Sequence, residues 1–317
     1  MIDLGPLQNS GAPILITGAS GLVGSSLAEL LRQHVPATEL LTPSRRELDL
    51  EEHGAVQDYL QYHRPAVVFH LAAFVRGLGG NLSAGSKAFE TNIAINHNVL
   101  SACVLAPPAL LFAAGTVAMY PHPYHALPLL EEHVFLGEPH ASEYLYAVAK
   151  RAMFPYLQAL QRAHGVRVCL GLFTNLYGPR DRLDAGWHVV PSLVGRFVDA
   201  QRAGKEDVVV WGEPETTRDF LYVRDAATAV MRLSFAGVDV CNISSGREVT
   251  MGELVDVLTT VTGFTGTVHW DSSMPVGIRR RWVDNSRLTE AIPDFLPCDL
   301  KKGLAETVRW YREQGRS

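Results

Sequence analysis

Residues 13–33 read PILIT, GASGLVG and SSLAELLRQ in unbroken succession. The apolar run Pro13 to Thr17 stops at glycines, the pattern of a strand buried on both faces of a parallel sheet. Gly18, Gly21 and Gly24 follow at regular spacing, and SSLAELLRQ then shows helical periodicity. Strand, glycine turn and helix form the context that a dinucleotide site requires. Gly18 would make the tight turn, Gly21 would let the backbone approach a pyrophosphate, and Gly24 would let helix and strand pack closely. Ser20, Leu22 and Val23 complete the turn, and the free N–H groups of the helix N-terminus would meet the phosphates.

Outward from this turn, a second strand is expected near Glu39 to Thr42. An enzyme that uses NAD usually carries an acid there for the ribose 2′-hydroxyl. Here Thr42-Pro-Ser-Arg45-Arg46 stands instead, and two guanidiniums would welcome a 2′-phosphate, so NADP(H) is the expected cofactor. Asp49 and Leu50 fall where the adenine would lie. His53 to His63 reads as a helix. Ala66 to Ala73 reads as a buried strand whose end, Leu71, Ala72 and Ala73, is small enough for a flat cofactor to lie against. His70 in that strand reads as a satisfied core histidine. Phe74 to Ser86 is a glycine-rich loop at the carboxyl edge, where open α/β sheets bind ligands. Lys87 to Val104 reads as a long helix, and Leu110 to Ala114 as a strand followed by Gly115-Thr116.

Ser142 to Lys150, SEYLYAVAK, holds Tyr146 and Lys150 on one helical face. Tyr144 is out of register. A phenol has an unperturbed pKa of about 10, and a nearby ammonium favours its anion. A tyrosine held this way can protonate a carbonyl oxygen as hydride arrives. The helix is expected to run on to about Ala163, and Val166 to Phe173 to form a further strand closed by TNLYGPRD. Strands alternating with helices over 13–176 predict a Rossmann-type, doubly wound parallel α/β sheet. From Tyr177 the pattern loosens into loops and short helices around His188 and Arg196. It continues through a strand at Asp207 to Gly212, a helix from Asp225, a strand at Val240 to Ser244, and helices near Met251–Thr262 and Leu300–Gln314. The expected division is a dinucleotide domain over 1–176 plus about 219–246, and a smaller C-terminal α/β substrate domain over 177–218 and 247–317.

The formal net charge is −5, so no basic footprint argues for nucleic acid. The four cysteines are scattered without a CxxC pair, and the twelve histidines show no metal-binding spacing, so no metal site is expected. The N-terminal residues lack a cationic segment followed by an apolar run, and the most apolar window, Ala102 to Tyr120, is broken by Pro107, Pro108 and Gly115. No membrane span is expected, and a reducing, cytoplasmic compartment fits.

TGASGLVG, HLAA, Gly115-Thr116, YAVAK and RDFLYVRD together resemble the extended short-chain dehydrogenase/reductase family. Within it, TPSRRELDL, TVAMYP, TNLYGPRD, WHVVPSL, DVVVWG and PVGIRRRWVD look most like the GDP-L-fucose synthases, which are GDP-4-keto-6-deoxymannose epimerase/reductases. That resemblance implies a homodimer and a catalytic trio of Thr116, Tyr146 and Lys150, with threonine where serine is usual. It implies a GDP- or dTDP-linked sugar nucleotide held by Asn175, His188, Arg196, Trp211, Arg218 and Arg280.

One stretch departs from the resemblance. Fucose synthases carry a GSSCIYP segment whose cysteine works with a histidine to epimerise C3 and C5. Here the segment is GTVAMYP, and Ala118 stands at the cysteine position, while the histidine is kept as His188. Epimerisation needs one group to remove a proton and another to return it on the opposite face. The expectation is therefore a 4-ketoreductase without epimerisation. The rival expectations are a bifunctional epimerase/reductase, a 4-epimerase, and an NADP-sensing scaffold. A dehydratase would want acid/base residues after Thr116, where Val117 and Ala118 stand.

Overall fold

The computed structural model describes residues 12–75, 86–181, 188–273 and 277–314. The strands are β1 (Ile14–Thr17), β2 (Leu40–Leu41), β3 (Val67–His70), β4 (Leu110–Thr116), β5 (Arg167–Phe173), β6 (Asn175–Tyr177), β7 (Asp207–Trp211), β8 (Thr217–Arg218), β9 (Phe220–Tyr222), β10 (Val240–Ile243), β11 (Val249–Thr250) and β12 (Thr267–Asp271). The α-helices are α1 (Leu22–Leu31), α2 (His53–His63), α3 (Lys87–Leu105), α4 (Tyr144–Arg151), α5 (Met153–His164), α6 (Val189–Arg202), α7 (Val223–Leu233), α8 (Met251–Thr262), α9 (Ser286–Ala291) and α10 (Leu300–Gln314). The leader and most of the expected 74–86 loop lie outside the described residues.

Six parallel strands form the central sheet in the order β2-β1-β3-β4-β5-β10. The order reverses between β1 and β3, which opens a crevice at their carboxyl ends. Ile14 and Ile16 face one core with residues of α1 and α7, whereas Leu15 faces the other with residues of α2, α3 and α5. Both faces are covered, which explains why these strands are continuously apolar rather than alternating. A third core joins α6, α8 and α10 to β7 and β9.

Three elements differ from their sequence reading. β4 continues through Gly115 and Thr116, which pair with Leu172 and Phe173. A Cβ at Gly115 would stand 2.9 Å from the Leu172 side chain, so the missing side chain lets β4 hold β5 to its end. Thr116 is thereby fixed at the sheet's carboxyl edge. The single helix expected to run on to Ala163 is two helices, broken at Ala152. Pro155 has no N–H for the Arg151 carbonyl and its ring crowds that carbonyl, which ends α4 there. The loops and short helices expected around His188 and Arg196 are instead one regular helix, α6, with His188 as its N-cap residue. Val190, Leu193, Val194, Phe197 and Val198 form its buried stripe, and Pro191 is tolerated because it sits in the first turn.

The glycine turn closes with Gly21 N–H donating to the Gly18 carbonyl at 2.9 Å. Gly18 has φ +71°, and a Cβ there would lie 2.8 Å from the Ala72 backbone. A Cβ at Gly24 would come within 2.2 Å of the Gly18 carbonyl oxygen, a backbone atom that cannot step aside. We therefore expect Gly24→Ala to cost roughly 1–3 kcal/mol of stability. Gly54, in α2, has open space around it. Gly54→Ala should gain about 0.5–1 kcal/mol from helix propensity. Chemical denaturation of the two variants checks both signs.

Candidate active site

Helix α4 packs against β4 and the turn that follows it, bringing Tyr146 and Lys150 to the carboxyl edge where Thr116 sits. Thr116 Oγ1 accepts the Ala118 N–H at 3.2 Å, which leaves the hydroxyl hydrogen free to donate elsewhere. Lys150 is buried, 1% exposed, and its Nζ makes no hydrogen bond to any described residue. Burial alone lowers its pKa to about 8. Tyr146 is half-buried, and its phenol is pushed up, first by burial and then by the Glu143 carboxylate. The ammonium was expected to pull that phenol down. In the folded chain the two raising effects dominate, so the phenol remains a proton donor throughout the working range.

A buried ammonium without a partner is costly, and it fits a ligand that brings acceptor oxygens. The glycine turn fits the same ligand, because its backbone is bare and the N-terminus of α1 has no side-chain cap. Leu71, Ala72 and Ala73 lie partly exposed beside Gly18, and Ser20 is exposed in the turn. These residues together suit a dinucleotide.

Other expected site residues have partners already. Arg45 lies 3.2 Å from Asp49 and 2.6 Å from Glu51, with its side chain 73% exposed. Such exposed pairs are weak and yield to a stronger anion. Arg46, beside Arg45, is exposed and makes no ion pair among the described residues. The Leu50 carbonyl accepts from Asn98 at 2.9 Å. Arg280 is held bidentately by Glu248 at 2.6 and 2.8 Å on the exposed side of its segment. Arg196 stacks 4.9 Å over the ring of the exposed Trp211, an apolar and cationic platform. Asn175 donates to the Asp219 carbonyl at 3.1 Å. His188 Nδ1 stands 3.4 Å from Asp181 Oδ1, so the carboxylate orients the ring. Trp187, beside it, lies outside the described residues.

Two site residues escaped the sequence reading. Glu143 lies one turn before Tyr146, and Arg281 grips it at 2.5 Å. Arg218 sits near both, its pKa lowered to about 10 by burial first and by Arg281 second. The i, i+3 spacing of Glu143 and Tyr146 was the available signal.

A family model described as NAD dependent epimerase/dehydratase matches residues 14–243. The chain belongs to this family. It is 34% identical to a probable GDP-L-fucose synthase 1 of Oryza sativa subsp. japonica over 97% of this chain and 94% of that protein. It is 30% identical to a GDP-L-colitose synthase of Yersinia pseudotuberculosis over 94% of this chain and 97% of that protein. Among solved structures, a GDP-L-fucose synthetase from Naegleria fowleri superposes with a TM-score of 0.85 at 25% identity, covering 98% of this chain and 96% of that one. The family's Rossmann-type sheet is the fold described above.

Lys150 yields a stability prediction. Its folded pKa, about 8, lies below the unfolded value near 10.4. Below pH 8 the ammonium is charged in both states and the fold bears the whole burial penalty. Between about pH 8 and 10.4 the unfolded chain binds more protons, so stability rises with pH until the penalty is gone. Lys150→Met should therefore stabilise the ligand-free protein by roughly 2–3 kcal/mol at pH 7, with the difference fading as pH climbs past 8. Thermal unfolding of both proteins across that range checks it.

Proposed function

We propose that this chain uses NADPH to reduce the C4 ketone of a GDP-linked 4-keto-6-deoxyhexose, and leaves C3 and C5 unepimerised. The GDP-sugar oxidoreductase part rests on family membership and on relatives named for GDP-L-fucose and GDP-L-colitose synthesis. The restriction to reduction rests on one observation, Ala118. Its side chain is buried directly after Thr116 and Val117 and has no exchangeable proton. No cysteine replaces it from elsewhere in the fold. Cys103, Cys169 and Cys241 are buried in the two cores of the central sheet, and burial pushes the thiols of Cys103 and Cys169 up to about 12. Cys298 packs with the third core, beside Asp225.

The glycine turn, the Lys150 ammonium and the 71–73 strand end would hold the cofactor, with Arg46 and Arg45 facing a 2′-phosphate. When bound, the dihydronicotinamide supplies a hydride. Thr116 donates its hydroxyl hydrogen to the ketone oxygen and fixes its position. Tyr146 gives its phenolic proton to the same oxygen as negative charge builds there. Its raised pKa does not prevent this, because an alkoxide is a far stronger base than a phenolate. Lys150, one turn along the helix, would supply the opposing charge, and with a pKa near 8 it could return a proton. Arg196 with Trp211, and Arg218 deeper in, would take the base and diphosphate.

A second reading, the bifunctional 3,5-epimerase/4-reductase, is favoured by the Asp181-oriented His188, half of an acid/base pair. The two readings separate in D2O. With GDP-4-keto-6-deoxymannose and NADPH, the product should carry no deuterium at C3 or C5 above an enzyme-free blank. Deuterium at both carbons, seen by mass spectrometry and proton NMR, would make the epimerase/reductase reading correct. Tyr146→Phe should lower kcat by about 10²–10⁴ with KM little changed.

A further inference from the structure

Glu143, Tyr146 and Lys150 fall at spacings of three and four, from the N-cap of α4 into its last turn, the spacing of neighbours along a helix. Glu143 is the N-cap residue of α4. A carboxylate there ordinarily accepts a backbone N–H of the first turn. This one makes no such bond. Arg281 takes it instead, with Nη2 2.5 Å from Oε2 and Nη1 3.4 Å from Oε1. Arg281 Nε also donates to the Tyr124 hydroxyl at 3.0 Å. The Arg281 side chain is 9% exposed and that of Glu143 23%. A helix cap has been given up for a buried bidentate clamp beside the reacting phenol.

We propose that Glu143, clamped by Arg281 and Tyr124, is a positioning residue that sets the charge beside Tyr146 and so raises the cost of forming its phenolate. This deepens the proposed reduction and rests on that reading for its catalytic meaning. Burial works against the Glu143 carboxylate, but Arg281 outweighs it and holds the group below the usual carboxylate range. It is therefore charged wherever the enzyme works, and a fixed negative charge one turn away disfavours the phenolate. Arg281 supplies the opposing charge, so removing either partner tips Tyr146 in a different direction.

The surrounding groups fit this balance. On the same helix they are Glu143 and Lys150. From the C-terminal half come Arg281 and Arg218. The loop between β4 and α4 adds Tyr124, His122 and His140, whose two imidazoles stand 4.8 Å apart edge to face. His122 is held low by burial, then by His140 and Arg281, so it is neutral at the pH where a phenol titrates. Among the described residues, Glu143 is the carboxylate whose charge acts on Tyr146.

The test needs no substrate. The protein is labelled with trifluorotyrosine, whose ring fluorines acidify the phenol and bring its titration within the range where the fold is intact. The Tyr146 signal in fluorine NMR is the one missing from Tyr146→Phe. Glu143→Gln should move its midpoint down by about one pH unit, and Arg281→Met should move it up. Glu143→Asp, which keeps the charge, should leave it near the wild-type value. Midpoints unmoved in Glu143→Gln, with the far-ultraviolet spectrum of the fold intact, would reduce the clamp to a structural tie and overturn the proposal. Movement in the same direction in Glu143→Gln and Arg281→Met would overturn it too. The expected shifts in a protein that turns over no GDP-4-keto sugar would uphold the role of Glu143 and sink only the proposed reaction.

Discussion

A buried chain of hydrogen bonds ties the glycine turn to the catalytic helix, and the candidate site depends on it. The Ala72 N–H donates to Thr17 Oγ1 at 3.3 Å. Thr17 Oγ1 meets His70 Nδ1 at 2.8 Å, His70 Nε2 meets Asn96 Oδ1 at 3.1 Å, and Asn96 Nδ2 donates to the Ala149 carbonyl at 3.2 Å. Because the Asn96 amide nitrogen donates to Ala149, it is the amide oxygen that faces His70 and must accept, so His70 carries its proton on Nε2 and accepts from Thr17. Every member is satisfied only in that arrangement. Burial, with Lys150 adding to it, lowers the His70 pKa to about 3 and keeps it neutral. Thr17 precedes Gly18 and Ala149 precedes Lys150. The chain therefore sets the register between the dinucleotide turn and the ammonium. Breaking a link would strand a buried polar group at a cost of about 1–3 kcal/mol.

Such satisfaction makes the exception at Lys150 informative. His70 and Asn96 beside it are satisfied, yet its own Nζ has no hydrogen-bond partner among the described residues. One turn before the ammonium on α4 stands a half-buried phenol, and a turn before that a carboxylate under its own guanidinium clamp. This alternation of charge along one helical face stabilises neither end as well as an apolar face would. It does place a proton donor and a proton source on the helix that packs beside β4, the strand that carries Thr116. Stability has been exchanged for a poised group, as functional sites commonly do.

Much of this was legible from local sequence. The glycine turn, α2, α8, α10 and the Tyr146–Lys150 pair depend on spacing within a few residues, and their periodicity survives into the fold. Satisfied histidine at position 70 was legible as well, because a polar residue inside a buried strand must find partners. What escaped depends on contacts distant in sequence. Glu143 and Arg281 are 138 residues apart. Three successive arginines, Arg279 to Arg281, look alike in the sequence. The segment is extended and bridges Thr217 and Leu129, so alternation turns Arg281 and Val283 inward and Arg280 outward to Glu248. That Arg281, and not Arg280, is the buried one could not be read without the partner strands. Likewise α6 was hidden by Pro191 and Gly195, which break a propensity argument but sit harmlessly in the first turn and against Tyr311.

The proposed hydride transfer to a sugar C4 depends on Tyr146 and Lys150. The most direct measurement uses NADPH deuterated at the transferring position of its nicotinamide, with GDP-4-keto-6-deoxymannose as acceptor, followed by NMR of the sugar. The account predicts one deuterium at C4 of the product, lost with turnover in Tyr146→Phe. A product without the label at C4, or labelled product formed equally well by Tyr146→Phe, would contradict it.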